Sequence, residues 1–369
     1  MKILMVSKAL VAGAYHKKIE ELSRFGMELH LIVPELWASQ KLEAGTGEGF
    51  SIYPLKIIFN GHNHFHLYRK LSAIIEKVNP DIVHIDEEHY SLVTFQVMRL
   101  SKKIGAKTLF FTWQNIYKNY PFPFSWIEQY NLRHADIAIA GNNEAKEVLR
   151  MKGFNKEIAV IPQFGVDTQI YRKMAVPDLK DNLRLSHDFV IGYMGRFVEE
   201  KGISVLLDAI KRLKIKNVKL LLIGNGHLKS TILNKTRKLE IENKVKILDH
   251  VPSTKVPEYM NCFDCLILPS LTRPNWKEQF GRVLIEAMAC EVPVIGSSSG
   301  EIPRVIGNAG LVFQEGNTND LAEKIELLLH NRDLCKELIK KGLEKVQSKY
   351  TQKRIAEETY HVYKELMLN

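Results

Sequence analysis

Two carboxylates eight positions apart, Glu278 and Glu286, enclose the run Gln279-Phe280-Gly281-Arg282-Val283-Leu284-Ile285. Glu278 precedes a Phe-Gly turn, and Glu286 lies one turn into an apolar helix that begins near Gly281. The first turn of such a helix offers backbone N–H groups and the positive end of its dipole, so a phosphate or a sugar hydroxyl can dock there. Glu286 is expected on the core side of the helix, where a lone carboxylate is costly without a polar partner. Ribose hydroxyls would supply one; pairing with Arg282 or a lysine is the plain alternative.

A second segment carries the opposite charge. In Gly192-Tyr193-Met194-Gly195-Arg196-Phe197-Val198-Glu199-Glu200-Lys201-Gly202 a strand runs into Gly195, and two cations follow five positions apart. Gly195 permits close backbone approach to a ligand. Arg196 grips phosphate oxygens as a planar fork, and Lys201 adds a point charge. A departing diphosphate needs both, because negative charge grows on it as the bond breaks. The alternative is pairing of these cations with Glu199 and Glu200. No Walker A motif and no GxGxxG follow a strand. Gly224-Asn225-Gly226 is the GxG nearest a strand end, a weak signal alone.

Other clusters are less specific. His62, His64 and His66 alternate after Asn60-Gly61 and would share one face of a strand, but no carboxylate joins them, so a polar loop is expected rather than a metal site. Cys262 and Cys265 form a CxxC without a second CxxC, which fits buried structural thiols.

The elements that must position these residues alternate in type. Strands are expected at Ile3–Val6, Leu29–Val33, Asp81–Ile85, Thr108–Thr112, Ile137–Ala140 and Ala159–Ile161, with helices at Tyr15–Phe25, Leu67–Val78 and Leu92–Ile104. The second half repeats the theme. Its strands are expected at Val190–Met194, Lys219–Ile223, Val245–Leu248, Leu266–Leu268, Val292–Ile295 and Leu311–Phe313, and its helices at Ser204–Leu213, Leu228–Leu239, Val283–Cys290 and Leu321–Leu329. Strand, helix and strand with short links specify α/β architecture with two doubly wound parallel sheets. The linker is expected within Val166–Leu185, and a last helix, 352–369, has no strand after it.

At 369 residues the chain is long for one core and sufficient for two. Hydrophobic residues are 45% and charged residues 25%, as in soluble globular proteins. The apolar run at the start is too short for a signal peptide, and no stretch is long enough to span a bilayer, so the expectation is cytoplasmic. The net charge of +10 is shared evenly between the halves, which argues against a nucleic-acid-binding arm and fits anionic ligands or a weak pull toward an acidic membrane surface.

Taken together, the segments resemble the retaining GT-B glycosyltransferases of family 4, in a bacterial-type branch. The resemblance covers essentially the whole chain. It rests on the strand before Gly195-Arg196 and Lys201-Gly202, on Leu222-Ile223-Gly224-Asn225-Gly226, on Asp264 through Pro269-Ser270, on the Glu278/Glu286 pair, and on Pro293-Val294-Ile295 before Gly300-Glu301. It implies two Rossmann-like domains facing across a cleft: 1–175 for the acceptor, and 176–351 for the nucleotide sugar, with 352–369 packing back on the first. By resemblance Arg196 and Lys201 bind the diphosphate, Glu278 the transferred sugar and Glu286 the ribose. Gly195, Phe280, Gly281, Arg282 and Val283 line the donor, and Gly224 and Val251 border the base. On the acceptor side stand Gly13, Asp86, Glu87, Trp113 and Gln114. Many family members carry a histidine where this chain has Trp113-Gln114, and the acidic run Asp86-Glu87-Glu88 could equally cap the next helix.

The resemblance further implies transfer with retention from a UDP- or GDP-type sugar to an acceptor sugar, a lipid-linked sugar or a small molecule. It implies no cofactor and no metal, Arg and Lys taking the metal's place; no DxD motif stands at a strand end. The aromatic run Trp113–Trp126 suits packing or contact with a lipid-linked acceptor or the inner face of the membrane. A sugar-nucleotide epimerase of the same fold and a catalytically silent nucleotide-sugar-binding subunit are the alternatives. A dinucleotide oxidoreductase is weaker, since the Gly-rich turn after the first strand is missing.

Overall fold

The computed structural model describes residues 1–43 and 49–368. The chain divides into two units, Met1–Gly165 with Gln352–Asn369, and Val166–Thr351. The change of unit falls before the expected 175/176 because Val166 already belongs to the second: its N–H donates to the Tyr350 carbonyl at 2.7 Å, and it bridges Thr351 in parallel.

The first unit is built on seven strands, β1 (Lys2–Val6), β2 (Glu28–Pro34), β3 (Phe50–Leu55), β4 (Ile82–Ile85), β5 (Lys107–Thr112), β6 (Ile137–Ala140) and β7 (Ile158–Val160). All pair in parallel, in the order β7-β6-β5-β4-β1-β2-β3. Near-continuous apolar runs such as Ile3-Leu4-Met5-Val6 are buried, as a sheet covered on both faces requires. β3 gave no clear sequence signal. It is an edge strand, half exposed, and it contains Pro54, which an edge tolerates. The helix Gln352–Leu368, with residue 369 outside the described residues, buries Ile355, Val362, Tyr363 and Leu366 in the core of this unit. Tyr363 Oη meets His84 Nδ1 at 2.6 Å.

Two local expectations change. The helix expected from Leu67 begins at Leu71, because Lys70 is left-handed (φ 57°) and Leu67–Tyr68 pairs antiparallel with Ile57–Ile58. His62, His64 and His66 lie in a turn closed by the His66 N–H on the His62 carbonyl at 3.2 Å, so they do not share a strand face.

The second unit carries β8 (Phe189–Met194), β9 (Val218–Ile223), β10 (Val245–Leu248), β11 (Cys265–Leu268), β12 (Val294–Ser297) and β13 (Leu311–Phe313), all parallel, in the order β10-β9-β8-β11-β12-β13. In both sheets the chain builds outward from one strand, then returns beside it and builds the other way. The reversal lies between β1 and β4 in the first unit and between β8 and β11 in the second. Loops leaving neighbouring strands on opposite sides open a crevice there, which is where ligands of such sheets bind.

Candidate functional site

In the second unit the residues singled out from the sequence leave the same edge of the sheet. Gly195 to Lys201 follow β8, Gly224 follows β9, Val251 follows β10, and Pro269-Ser270 follow β11. The two sides of the reversal point are linked through side chains. Lys201 Nζ donates to Glu278 Oε2 at 2.6 Å, and Ser270 Oγ donates to the same oxygen at 2.7 Å. The expected alternative partners of Lys201, Glu199 and Glu200, do not take it. Glu199 meets His227 at 2.8 Å, and Glu200 lies 3.7 Å from Arg196, whose guanidinium is largely exposed.

Backbone closeness makes this arrangement possible. Gly202 has φ 65°, and a Cβ there would stand 1.9 Å from the Pro269 carbonyl oxygen. The loops after β8 and β11 therefore touch only because position 202 is glycine. The Leu271 N–H donates to the Glu200 carbonyl at 2.8 Å across the same seam. Glu278 is also fixed from β12: its carbonyl accepts the Glu301 N–H at 3.0 Å, and Gly300 packs so tightly that a Cβ would meet that oxygen at 2.1 Å.

Gly195 and Gly224 serve each other. A Cβ on Gly224 would fall 1.9 Å from the Gly195 carbonyl oxygen, and the Phe197 N–H donates to the Asn225 carbonyl at 2.9 Å. Tyr193 Oη donates to the Arg196 carbonyl at 2.8 Å and pins the loop from below. Val251 is buried.

The helix Arg282–Ala289 starts after Gly281 (φ 77°), which packs on Leu268 at the end of β11. Its positive end therefore lies at the β11 side of the crevice. Phe280 is buried, its ring edge-on to Tyr350. Glu286 is buried as expected and is met by Arg282 Nε at 2.9 Å, the plain pairing. Burial pushes the Glu286 carboxyl above the ordinary range against the pull of Arg282.

Sequence reasoning missed Trp276. The Arg273 and Trp276 backbones exchange hydrogen bonds at 2.7 and 3.2 Å, and this turn sets the indole 5.0 Å from Lys201 Nζ. The signal for its turn is Arg273-Pro274-Asn275-Trp276. Ser270 was part of a motif without a role.

The first unit gathers its polar residues at its own reversal point. Asp86 Oδ2 accepts from Ser7 Oγ at 2.6 Å and from Gln163 Nε2 at 3.0 Å. Glu87 accepts the Lys8 N–H at 3.0 Å and pairs with the Lys8 ammonium. Glu88 accepts from Thr112 Oγ1 at 2.6 Å and from the Trp113 N–H at 3.0 Å. The three carboxylates tie strand ends together and do not cap the following helix, whose N-terminal turn uses the Glu88 carbonyl instead. Asp86 and Glu87 are both buried, and burial raises both carboxyls. Asp86 Oδ1 has no partner among the described residues.

Trp113 Nε1 donates to Gln163 Oε1 at 3.1 Å while its ring fills the space that a Cβ on Gly141 would need. Gln114 is buried and donates to Tyr120 Oη at 3.0 Å. The Gly13 N–H donates to Glu43 Oε2 at 2.7 Å. The aromatic run divides: Tyr120 stacks on Tyr90, whereas Phe122 and Trp126 are exposed. No group of metal-ligating side chains is found among the described residues. None of their helices is long and apolar enough to cross a membrane. The four cysteines are free thiols.

Two doubly wound sheets, each with polar and charged groups at its reversal point, are the two domains of the GT-B fold. Residues 16–170 match the family described as Glycosyltransferase Family 4, and residues 177–345 match Glycosyl transferases group 1. The chain belongs to the family-4 glycosyltransferases. It is 27% identical over 315 residues to the N-acetyl-alpha-D-glucosaminyl L-malate synthase of Bacillus anthracis, a span of 82% of this chain and 79% of that protein. Its fold matches sucrose-phosphate synthase from Thermosynechococcus elongatus with a TM-score of 0.79 at 19% identity, over 100% of this chain and 99% of that one. It matches Anabaena HepE, solved in complex with UDP, with a TM-score of 0.76 at 17% identity, over 99% and 100% of the two chains.

Proposed function

We propose that this glycosyltransferase moves a sugar from a UDP-type donor to an acceptor hydroxyl with retention of anomeric configuration and without a metal ion. The observation that carries the reading is the Lys201–Glu278–Ser270 cluster at the reversal point of the second sheet. It places an ammonium and a carboxylate side by side, the first suited to a diphosphate oxygen and the second to a sugar hydroxyl. The bound donor would separate them and take both.

The protein's share is orientation and charge stabilisation. Arg196, largely exposed, is placed to swing from Glu200 onto the diphosphate, and the start of the helix Arg282–Ala289 adds its positive end. Ribose hydroxyls would satisfy Glu286 beside Arg282. Gly224 and Val251 would border the base. In retaining transfer the acceptor hydroxyl attacks from the face the diphosphate leaves, and the departing phosphate accepts its proton. Asp86 and Glu87, with Gly13, Trp113 and Gln114 nearby in the fold, form the acceptor side, and the acceptor is a sugar, free or lipid-linked, or a small molecule. A UDP complex of a fold neighbour supports the choice of uridine over guanosine. The setting is cytoplasmic, in glycoconjugate synthesis.

A thermal-shift series with UDP, GDP, ADP and their sugars tests the donor, because a ligand that binds only the folded chain raises its melting point. The largest shift is expected from UDP or a UDP-sugar, unchanged by EDTA and lost in Lys201→Ala. Stabilisation by GDP-sugars alone, or a strict metal requirement, would overturn that part of the proposal.

A further inference from the structure

A groove of about 450 Å³ opens on the first unit between the helix Leu71–Val78 and the helix Leu92–Lys103. Its floor is apolar, made by Leu67, Leu71, Leu92, Phe95 and Leu100. Its rim is cationic: Lys70, Arg99 and Lys103 line it, all exposed. No carboxylate lines it. The helix Leu92–Lys103 contains no acid, and the other contains only Glu76, which is not among the lining residues.

The apolar surface does not stop at the groove. The Arg99 guanidinium lies 5.6 Å from the Phe95 ring, and Phe95 packs edge-on against Trp126 at 5.1 Å. Trp126 is 52% exposed, and Phe122 nearby in sequence is 82% exposed. Single exposed apolar side chains are ordinary, but a groove continued by an exposed tryptophan packed on its lining marks a binding face. Aliphatic floor, aromatic edge and a rim of cations without a counter-charge match one environment, the headgroup zone of an anionic bilayer. There aromatic rings sit at the boundary, and Lys and Arg stems lie on apolar surface with their charges on phosphates.

We propose that this face docks on a membrane containing anionic phospholipid, with headgroup phosphates on Lys70, Arg99 and Lys103 and acyl segments against the groove floor. The proposal goes beyond the transfer reaction and does not depend on the donor or acceptor assigned above. It gives the exposed part of the aromatic run a role. The ring of Tyr68, which lines the groove, lies 5.9 Å from that of His66, and His66 stands 3.8 Å from Glu87, so the groove begins beside the polar cluster of the first unit.

Flotation of the full chain with phosphatidylcholine vesicles, with and without phosphatidylglycerol, tests it. The chain is expected to float with the anionic vesicles, weakly with the neutral ones, and less as salt rises. Replacing Lys70, Arg99 and Lys103 together by Gln should lower partition by roughly 100-fold, at about fivefold per cation, with the melting point in solution unchanged. Phe122→Ser with Trp126→Ser, which leaves the charge intact, should lower it by about tenfold. Equal binding to both vesicles, no binding to either, or unchanged binding by the triple variant would overturn the proposal. So would a homodimer in solution that the triple variant dissolves, since a second copy would then occupy the face. A thermal shift with UDP on the same samples reads donor binding separately, so failure there leaves the docking result standing.

Discussion

Lys201 Nζ sits 2.6 Å from Glu278 Oε2, although the two residues are separated by 77 positions in the chain. Both are mostly shielded from solvent, with side chains 15% and 9% exposed. Removing one partner of such a pair takes away the other's counter-charge, at a cost of up to about 3–5 kcal/mol, softened here by the Ser270 hydroxyl on Glu278 and the Trp276 ring beside Lys201. Losing a preorganised electrostatic contact to the transition state lowers turnover by about 10²–10³-fold. Glu278→Gln and Lys201→Ala are therefore each expected to lose transfer by at least about 100-fold, measured as nucleoside diphosphate release. Their melting points should fall, and the double variant should fall by less than the sum of the two. Wild-type turnover in either single variant would remove the residue it replaces from the reaction.

Trp276 is expected to act through Lys201. Its ring lies 5.0 Å from the ammonium, within cation–π range, and the hydrogen-bonded turn with Arg273 fixes the indole there. It is a positioning residue. Such a contact is worth about 0.5–2 kcal/mol, so Trp276→Leu should slow turnover up to about tenfold, whereas Trp276→Phe should stay within about threefold. The loss should appear in kcat more than in the acceptor KM. Equal effects of Leu and Phe would mean the indole only fills space.

Asp86 offers a way to separate the two substrates. Ser7 and Gln163 occupy its Oδ2, while buried Oδ1 has no partner among the described residues. A buried acceptor atom left open is costly unless a ligand or water uses it. Asp86→Asn keeps the shape and replaces an oxygen with a donor. It is expected to weaken acceptor use by about tenfold or more, while the thermal shift caused by UDP stays at its wild-type value. Acceptor use unchanged, or lost only in step with the melting point, would place Asp86 in a purely structural role.

The second sheet was easier to read from sequence than what lies around it. β8, β9 and β11 are apolar runs closed by Gly195, Gly224 and Pro269, so strand, loop and charged residues follow one another directly in the sequence. The glycine at 202 was visible, but its contact with the Pro269 carbonyl depends on two loops meeting in space. The same holds for Trp276, which needs the Arg273 turn, and for Ser270, which needs Glu278 to fold back across β11. In the first unit the run Leu67–Val78 has continuous helical periodicity, and one left-handed residue, Lys70, overrides it. The helix Phe124–His134 is hidden in sequence because its start lies inside the aromatic run Trp113–Trp126, which has no clear helical period. Glu286 shows the reverse: its burial was legible from the apolar helix around it, and its partner Arg282 was already named as the alternative.

His66 gives the first unit a specific acid sensitivity. Its ring is fully buried and its two nitrogens have no hydrogen-bond partner among the described residues. Glu87 stands 3.8 Å away, but Lys8 already holds that carboxylate. Burial first, and the Lys8 ammonium second, lower the imidazole from its ordinary 6.5 to about 4. Between those values the unfolded chain binds a proton that the folded chain refuses, so stability must fall as pH falls through that window. Above 6.5 both states are neutral at this site and the contribution is complete. The size is about 2 kcal/mol by pH 4.5, from about 1.4 kcal/mol per unit. His66→Gln removes the titrating group and should flatten this part of the curve. Urea midpoints at pH 7 and pH 4.5 measure it, the wild type being expected to lose about 2 kcal/mol more than the variant. Parallel losses in the two proteins would show that the acid response comes from the carboxylates alone.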